Sequence, residues 1–274
     1  MTHEAAVNTL MCRYKEIYKR KGNSPDWATK KVNDNGLVHP PIPFVGKQYF
    51  EQPVKILLYA SAENLNEYDG YIDDDSIAID RHRYYFESSK SSDYEFPSVH
   101  IQPINNGALL LCACHIMSRL SDVPICTPAD FLEKISCANY GKYTIKNNIP
   151  NEKKINKDYA SNSAKLNESQ EYIEADIEIL HPDYIIMVKT MYEGTGNQKE
   201  FIDSIKGDAT IIPIPQINGT TVNTLKAFRE SKMAALEELH PAINLWYPNL
   251  KSVSHKNFMR VFSYLDNIMS KLNI

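Results

Sequence analysis

The sequence predicts an α/β fold, a three-layer α/β/α sandwich around a central four-stranded parallel sheet, and three observations carry that expectation. Four short apolar runs, Val54 to Ala60, Lys134 to Ala138, Tyr184 to Val188 and Thr210 to Ile214, are bounded by turn residues and lack the polar alternation of a half-solvated strand. Segments with helical periodicity separate them, and strands that alternate with helices imply right-handed crossovers and a parallel sheet. The 274 residues, 43% hydrophobic and 23% charged, are enough for a single core of that kind.

Taken in order, Thr2 is placed to cap a first helix on which Leu10, Tyr14, Ile17 and Tyr18 recur at three- and four-residue spacing up to Gly22. VHPPIPF, residues 38–44, carries three prolines and is expected to be a loop or arm, because proline breaks both helix interiors and central strands. The first strand ends at Ser61-Ala62-Glu63-Asn64, and the acidic segment after it reads as an insertion. INNGALLLCACHIMSRL, residues 104–120, is apolar almost all round and so predicts a helix buried against the sheet. Pro124 and Pro128 punctuate a turn into Phe131 and Leu132. A second strand then breaks at Asn139-Tyr140-Gly141-Lys142.

The stretch 142–168, with six lysines against three acidic residues, is polar enough for a loop. Asn167 and Gln170 resemble a capping box ahead of a helix whose Ile173, Ile177 and Leu180 share a face and which Pro182 ends. A third strand, a short helix over 199–205, a fourth strand and a helix from Gly219 to about Leu239 follow. The closing helix over 256–272 puts Phe258, Val261, Phe262, Leu265, Ile268, Met269 and Leu272 on one stripe. The expectation is one domain over 1–274 with helical extensions at 1–50 and 240–274.

The net charge of −4 excludes a polyelectrolyte that coats nucleic acid, although local charge is uneven. Residues 1–31 hold seven basic and three acidic residues, whereas 62–100 hold ten acidic and three basic ones. No run approaches the ~18 apolar residues of a membrane span, and the N-terminus lacks the apolar stretch of a secretory signal. Five cysteines, Cys12, Cys112, Cys114, Cys126 and Cys137, fit reduced thiols better than a disulfide framework. A cytoplasmic protein that needs no membrane, metal or cofactor is expected.

Chemistry in open α/β sheets collects at the carboxyl ends of the strands. Those ends are Ser61 to Asn64, Asn139 to Lys142, Lys189 to Tyr192 and Pro215 to Asn218. They offer one carboxylate, Glu63, and amides at Asn64, Asn139, Gln216 and Asn218, and each amide presents a donor and an acceptor together, as reading a base edge requires. The plainer account is that Asn and Gly terminate strands, and that Glu63 complements the start of a following helix.

Ser61 after a strand resembles a nucleophile elbow, but Tyr59 and Glu63 stand where its glycines belong. Cys112 and His115 can share a helix face, yet two ligands do not make a zinc site. Asp73 to Asp75 lack the alternating order of a calcium loop. The mixture of Arg81, His82, Arg83 with Tyr84, Tyr85 and Phe86 suits single-strand binding in type, but its acidic flanks repel phosphate. Lys142 and Lys146, which open the lysine-rich stretch, are the better phosphate candidates.

Over residues 54–225 the order of these features resembles the uracil-DNA glycosylase superfamily. In that family a first strand ends in a Gly-x-(Asp/Asn/Ala)-Pro type turn that positions water, a buried helix follows, and the next strand ends in an Asn that reads the flipped base. KISCANYGKYT places Asn139 and Lys142 at that spacing, LHPDYIIMV matches a helix-end pattern of the family, and TIIPIPQINGTT occupies the place of its His-Pro-Ser type loop. Here ASAEN has Ala60 for the glycine, Ala62 at the water-activating position and Glu63 for the proline, while Gln216 stands for the histidine, followed by Ile217 and Asn218.

The resemblance implies Glu63 and Gln216 as the catalytic pair, with Ser61, Asn64, Asn139 and Asn218 as base contacts. It also implies DNA or another nucleic acid as partner. Two other functions fit the same residues: a nucleic-acid-binding module of this fold without catalysis, or an enzyme on a small nucleotide or amide metabolite.

Overall fold

The computed structural model describes residues 1–21, 42–64, 106–145, 166–194, 196–214, 245–246 and 252–274; at 61–64 the description is of the backbone alone. The predicted helix from Gly219, the acidic insertion and most of the lysine-rich stretch lie outside the described residues.

The molecule is a mixed α/β protein, and among the described residues its sheet has five strands. Its strands are β1 (Phe44–Val45), β2 (Ile56–Asn64), β3 (Ser136–Ile145), β4 (Tyr184–Val188) and β5 (Thr210–Ile214), in the order β1-β3-β2-β4-β5. The pairs β2–β3, β2–β4 and β4–β5 are parallel, and the short β1 is antiparallel to β3. The proline-rich arm thus contributes a fifth strand that its sequence did not announce. Two residues at a sheet edge escape the proline penalty because the prolines precede them.

Burial follows strand position. Ile56, Leu57, Leu58 and Tyr59 of β2 and Ile185 to Val188 of β4 are all buried, as central parallel strands covered on both faces must be. β5 takes the edge, where Pro213 leaves no donor unmet in a further ladder. Asp183 aligns the amino ends of three strands. Its carboxylate accepts from the Lys55 amide at 2.7 Å, its amide donates to the Lys55 carbonyl at 2.9 Å, and its carbonyl accepts from the Thr210 amide at 2.9 Å.

Among the described residues the helices are α1 (His3–Lys21), α2 (Asn106–Leu120), α3 (Pro128–Leu132), α4 (Gln170–Leu180), α5 (Lys189–Tyr192), α6 (Gln198–Ile205) and α7 (Ser252–Lys271). The Thr2 hydroxyl accepts from the Ala5 amide at 3.3 Å, opening α1, and Ala6, Leu10, Tyr14 and Ile17 form its buried stripe. α1 packs along α4, tied at the surface by the Arg20–Glu171 ion pair and inside by the tilted contact of the Tyr14 and Tyr172 rings, centroids 4.8 Å apart and planes at 59°. The supposed turn after Pro128 is the short helix α3. Thr127 caps it by accepting from the Asp130 amide at 3.2 Å.

α4 starts later than its sequence suggests. Ser169, not Asn167, is the residue before its first turn, and its hydroxyl accepts from the Lys142 amide at 3.0 Å instead of capping. His181 ends the helix in the left-handed conformation, φ 45°, and Pro182 prevents continuation. α2 packs on β2 and on α7, where the His115 ring stacks on Phe262 with centroids 4.3 Å apart and bonds Asp266 at 2.9 Å.

Candidate functional site

Four parallel strands in the order β3-β2-β4-β5 place a topological switch point between β2 and β4, because the chain leaves β2 toward β3 and then crosses back to β4. Ligands of such sheets sit at the carboxyl side of that point. Here the carboxyl side has a distinct shape. β2 pairs with β4 only as far as Tyr59↔Met187, yet continues beside β3 through Ala60↔Asn139, Ala62↔Gly141 and Asn64↔Ile145.

β2 and β3 therefore project beyond β4 as a two-stranded ribbon. Between Ala62 and Asn64 the register shifts, with more residues on β3 than on β2, so β3 bulges there and the ribbon twists more sharply. This corrects two expectations about the strand ends. Ser61 to Asn64 and Asn139 to Lys142 do not follow their strands but lie within them.

Asn139 is a half-buried residue of β3 opposite Ala60. Side chains alternate along a strand, so Asn139 lies on the face opposite Tyr140 and Lys142. The backbone at Ser61, Glu63 and Asn64 runs in the neighbouring strand, so the fold brings these positions and Asn139 together on one ribbon. Gln216, Asn218 and Lys146 lie outside the described residues.

Lys142 is not a phosphate-binding surface lysine. Its side chain is 1% exposed and its ammonium donates to the Asp176 carboxylate, itself fully buried. Tyr14 donates to the other oxygen of Asp176 at 2.6 Å and Tyr59 to the first at 2.9 Å. The ammonium also lies over the Tyr14 and Tyr59 rings, 5.5 and 5.3 Å from their centroids. A second chain continues the layer: Tyr140 donates to Gln198 at 2.8 Å, and Gln198 to Asn167 at 2.9 Å.

Burial raises the Asp176 carboxyl above its ordinary range and lowers the Lys142 ammonium below its own, while their contact pulls both back. Burial and the neighbouring Asp176 push the Tyr14 and Tyr59 hydroxyls well above 10.0. A sealed group of this kind does not meet substrate. It fixes β3 at the start of the bulge, on the face behind Asn139, which is how a buried polar layer positions a site it does not enter. The available signal was Asp176 itself, a carboxylate on the stripe of Tyr172, Ile173, Ile177 and Leu180.

At the end of β4, α5 buries Met191 and Tyr192, and Lys189 pairs with Glu193 at 3.2 Å. Tyr192 donates to Asp203 of α6 at 3.0 Å, so this tip is braced rather than open. His115 bonds Asp266 at 2.9 Å. Among the described residues no group of three or more His, Cys, Asp or Glu is arranged to hold a metal ion, and no helix is long and apolar enough to cross a membrane. No family model matches the chain, and no curated protein sequence matches it.

Proposed function

We propose that the β2–β3 ribbon is the base-reading end of a divergent DNA glycosylase-like protein, a three-layer α/β/α sandwich that recognises a modified or deaminated base such as uracil. The observation that supports this most is the register Ala60↔Asn139. It sets a half-buried amide opposite the point on β2 just beyond its last pairing with β4, next to the switch point of a parallel sheet. A base inside a duplex is unreachable there, so the nucleotide must be extruded or single-stranded and its Watson–Crick edge read by the amide.

Cleavage of an N-glycosidic bond develops positive charge on the sugar and negative charge on the base. In this reading Glu63 orients water or stabilises the sugar cation, Gln216 and Asn218 donate to the base, and Ser61 and Asn64 complete its surroundings. Ala62 at the water-activating position of the resembled motif favours a second reading, in which the same ribbon binds the base without excising it.

Uracil- or hypoxanthine-containing single-stranded oligonucleotides, scored for abasic product, separate the two. Excision that falls at least about 100-fold in Glu63→Gln, and is also lost in Asn139→Ala, supports catalysis at these residues. Salt-sensitive binding without abasic product supports the binding module. Excision undiminished in both variants overturns the assignment of the residues.

A further inference from the structure

The N-terminal helix α1 reaches β3 at two places, and Asn139 stands between them. At the head of α1 the His3 ring donates from Nε2 to the Val45 carbonyl at 3.0 Å. Val45 belongs to β1, which pairs with β3 through Val45↔Ser136 and Phe44↔Cys137, and the Ser136 hydroxyl donates to the Phe44 carbonyl at 2.8 Å. Further along α1 the Tyr14 hydroxyl donates to one oxygen of Asp176 at 2.6 Å, and the other oxygen accepts from the Lys142 ammonium. Asn139 is three residues beyond Ser136 and three before Lys142.

The stretch of β3 between those two points is where the sheet gives it least support. The last pairing of β2 with β4 is at Tyr59, which stands opposite Ala138 of β3. From Asn139 onward, among the described residues, β3 pairs only with a β2 that has already left β4, and two strands alone make a marginal ribbon. Asp176 holds both strands where they leave the sheet, because Tyr59 of β2 donates to it at 2.9 Å beside the Lys142 ammonium of β3. Tyr14 brings α1 into that same carboxylate.

We propose that α1 is the element that positions Asn139, with Tyr14 as the positioning residue, so that docking of α1 governs discrimination between bases and not affinity for the strand. This rests on Asn139 as the base-reading amide. An amide that reads a base edge must be held to within about 0.5 Å of its productive place, since a hydrogen bond weakens steeply as it is misaligned. Contacts to phosphate orient a strand without reading it, and they tolerate a displacement of β3 that base reading does not.

Tyr14→Phe keeps the ring against Tyr172 and under the Lys142 ammonium and removes the hydroxyl that bonds Asp176. Tyr192→Phe, which removes the bond to Asp203 and touches neither α1 nor β3, is the control. The full chain and both variants are compared by anisotropy of single-stranded oligonucleotides that differ in one uracil or thymine, and by amide hydrogen exchange. In Tyr14→Phe the uracil preference falls at least about fivefold, the salt-dependent binding common to both strands is retained, and exchange rises over residues 139–142 and in α1 more than in β4. Tyr192→Phe changes neither the preference nor exchange over 139–142. A preference that stays intact while exchange in α1 rises, or exchange over 139–142 that rises no more than in β4, overturns the proposal. Absence of any uracil preference in the unaltered chain refutes base reading instead. Exchange then decides by itself: a rise over 139–142 in Tyr14→Phe supports positioning of β3 by α1, and no rise there overturns it.

Discussion

Lys142 is inside the protein because three elements supply what its charge needs, Asp176 from α4, Tyr14 from α1 and Tyr59 from β2, while the Ser169 hydroxyl before α4 accepts from its backbone amide. Removing one partner of a buried pair leaves the other uncompensated. Lys142→Met is therefore expected to cost about 3 kcal/mol, read as a lower urea midpoint at unchanged slope, and adding Asp176→Leu is expected to recover much of that loss. A second residue-scale outcome concerns Gly46, where a Cβ would stand 2.4 Å from the Glu133 backbone carbonyl. Gly46→Ala must part β1 from that chain and is expected to destabilise by about 2 kcal/mol in the same denaturation assay.

The buried tyrosines set an alkaline limit. Tyr14, Tyr49 and Tyr59 are held well above 10.0 by burial, so above that pH the folded protein keeps protons that the unfolded chain has lost. Their contribution is fully present below pH 10 and falls as pH rises, by about 1.4 kcal/mol per unit for each tyrosine. Lys142, shifted down, acts in the opposite direction only up to 10.5. Tyrosinate absorbance is expected to appear for these residues together with loss of circular dichroism, and Tyr59→Phe is expected to make the alkaline transition shallower.

At the scale of elements, α1 carries a buried polar anchor, Tyr14, set in an apolar stripe, and His3 at its start bonds the Val45 carbonyl of β1 at 3.0 Å. Tyr14→Phe removes a hydrogen bond to a carboxylate, worth about 1.5–3 kcal/mol, and is expected to raise amide hydrogen exchange across α1 more than in β4. Equal protection loss in both elements would show that α1 does not open as a unit. β4 and β5 were legible residue for residue because an unbroken apolar run between turn residues has few alternatives. β2 and β3 were legible in position but not in length. A strand paired on one side continues past the apolar run, and the polar residues that made Ser61 and Asn139 look like chain reversals are instead in a ribbon. Lys142 was misread for a related reason: its burial depends on Asp176 and Tyr14, which are distant in sequence, so no local pattern around the lysine reveals it.

For the molecule as a whole, the alternation of strands and helices was sufficient to foresee an α/β protein with a parallel sheet, because crossovers constrain the topology strongly. The edge strand β1 was not foreseen, since two residues carry no period. The β2–β3 pair was legible as neighbouring strands, and Asn139 stands in it opposite Ala60; the proposed function adds Glu63, Gln216 and Asn218 to that position.

Base recognition by Asn139 is the claim on which the functional proposal turns. The most direct measurement is fluorescence anisotropy of single-stranded oligonucleotides that differ only in one uracil or thymine, titrated at low and moderate salt with the unaltered chain and with Asn139→Ala. Preference for the uracil strand that falls by about 10-fold or more in the variant, while the salt-dependent binding common to both strands is retained, is the expected result. Preference that survives the loss of the amide, or no binding to either strand at low salt, would contradict it.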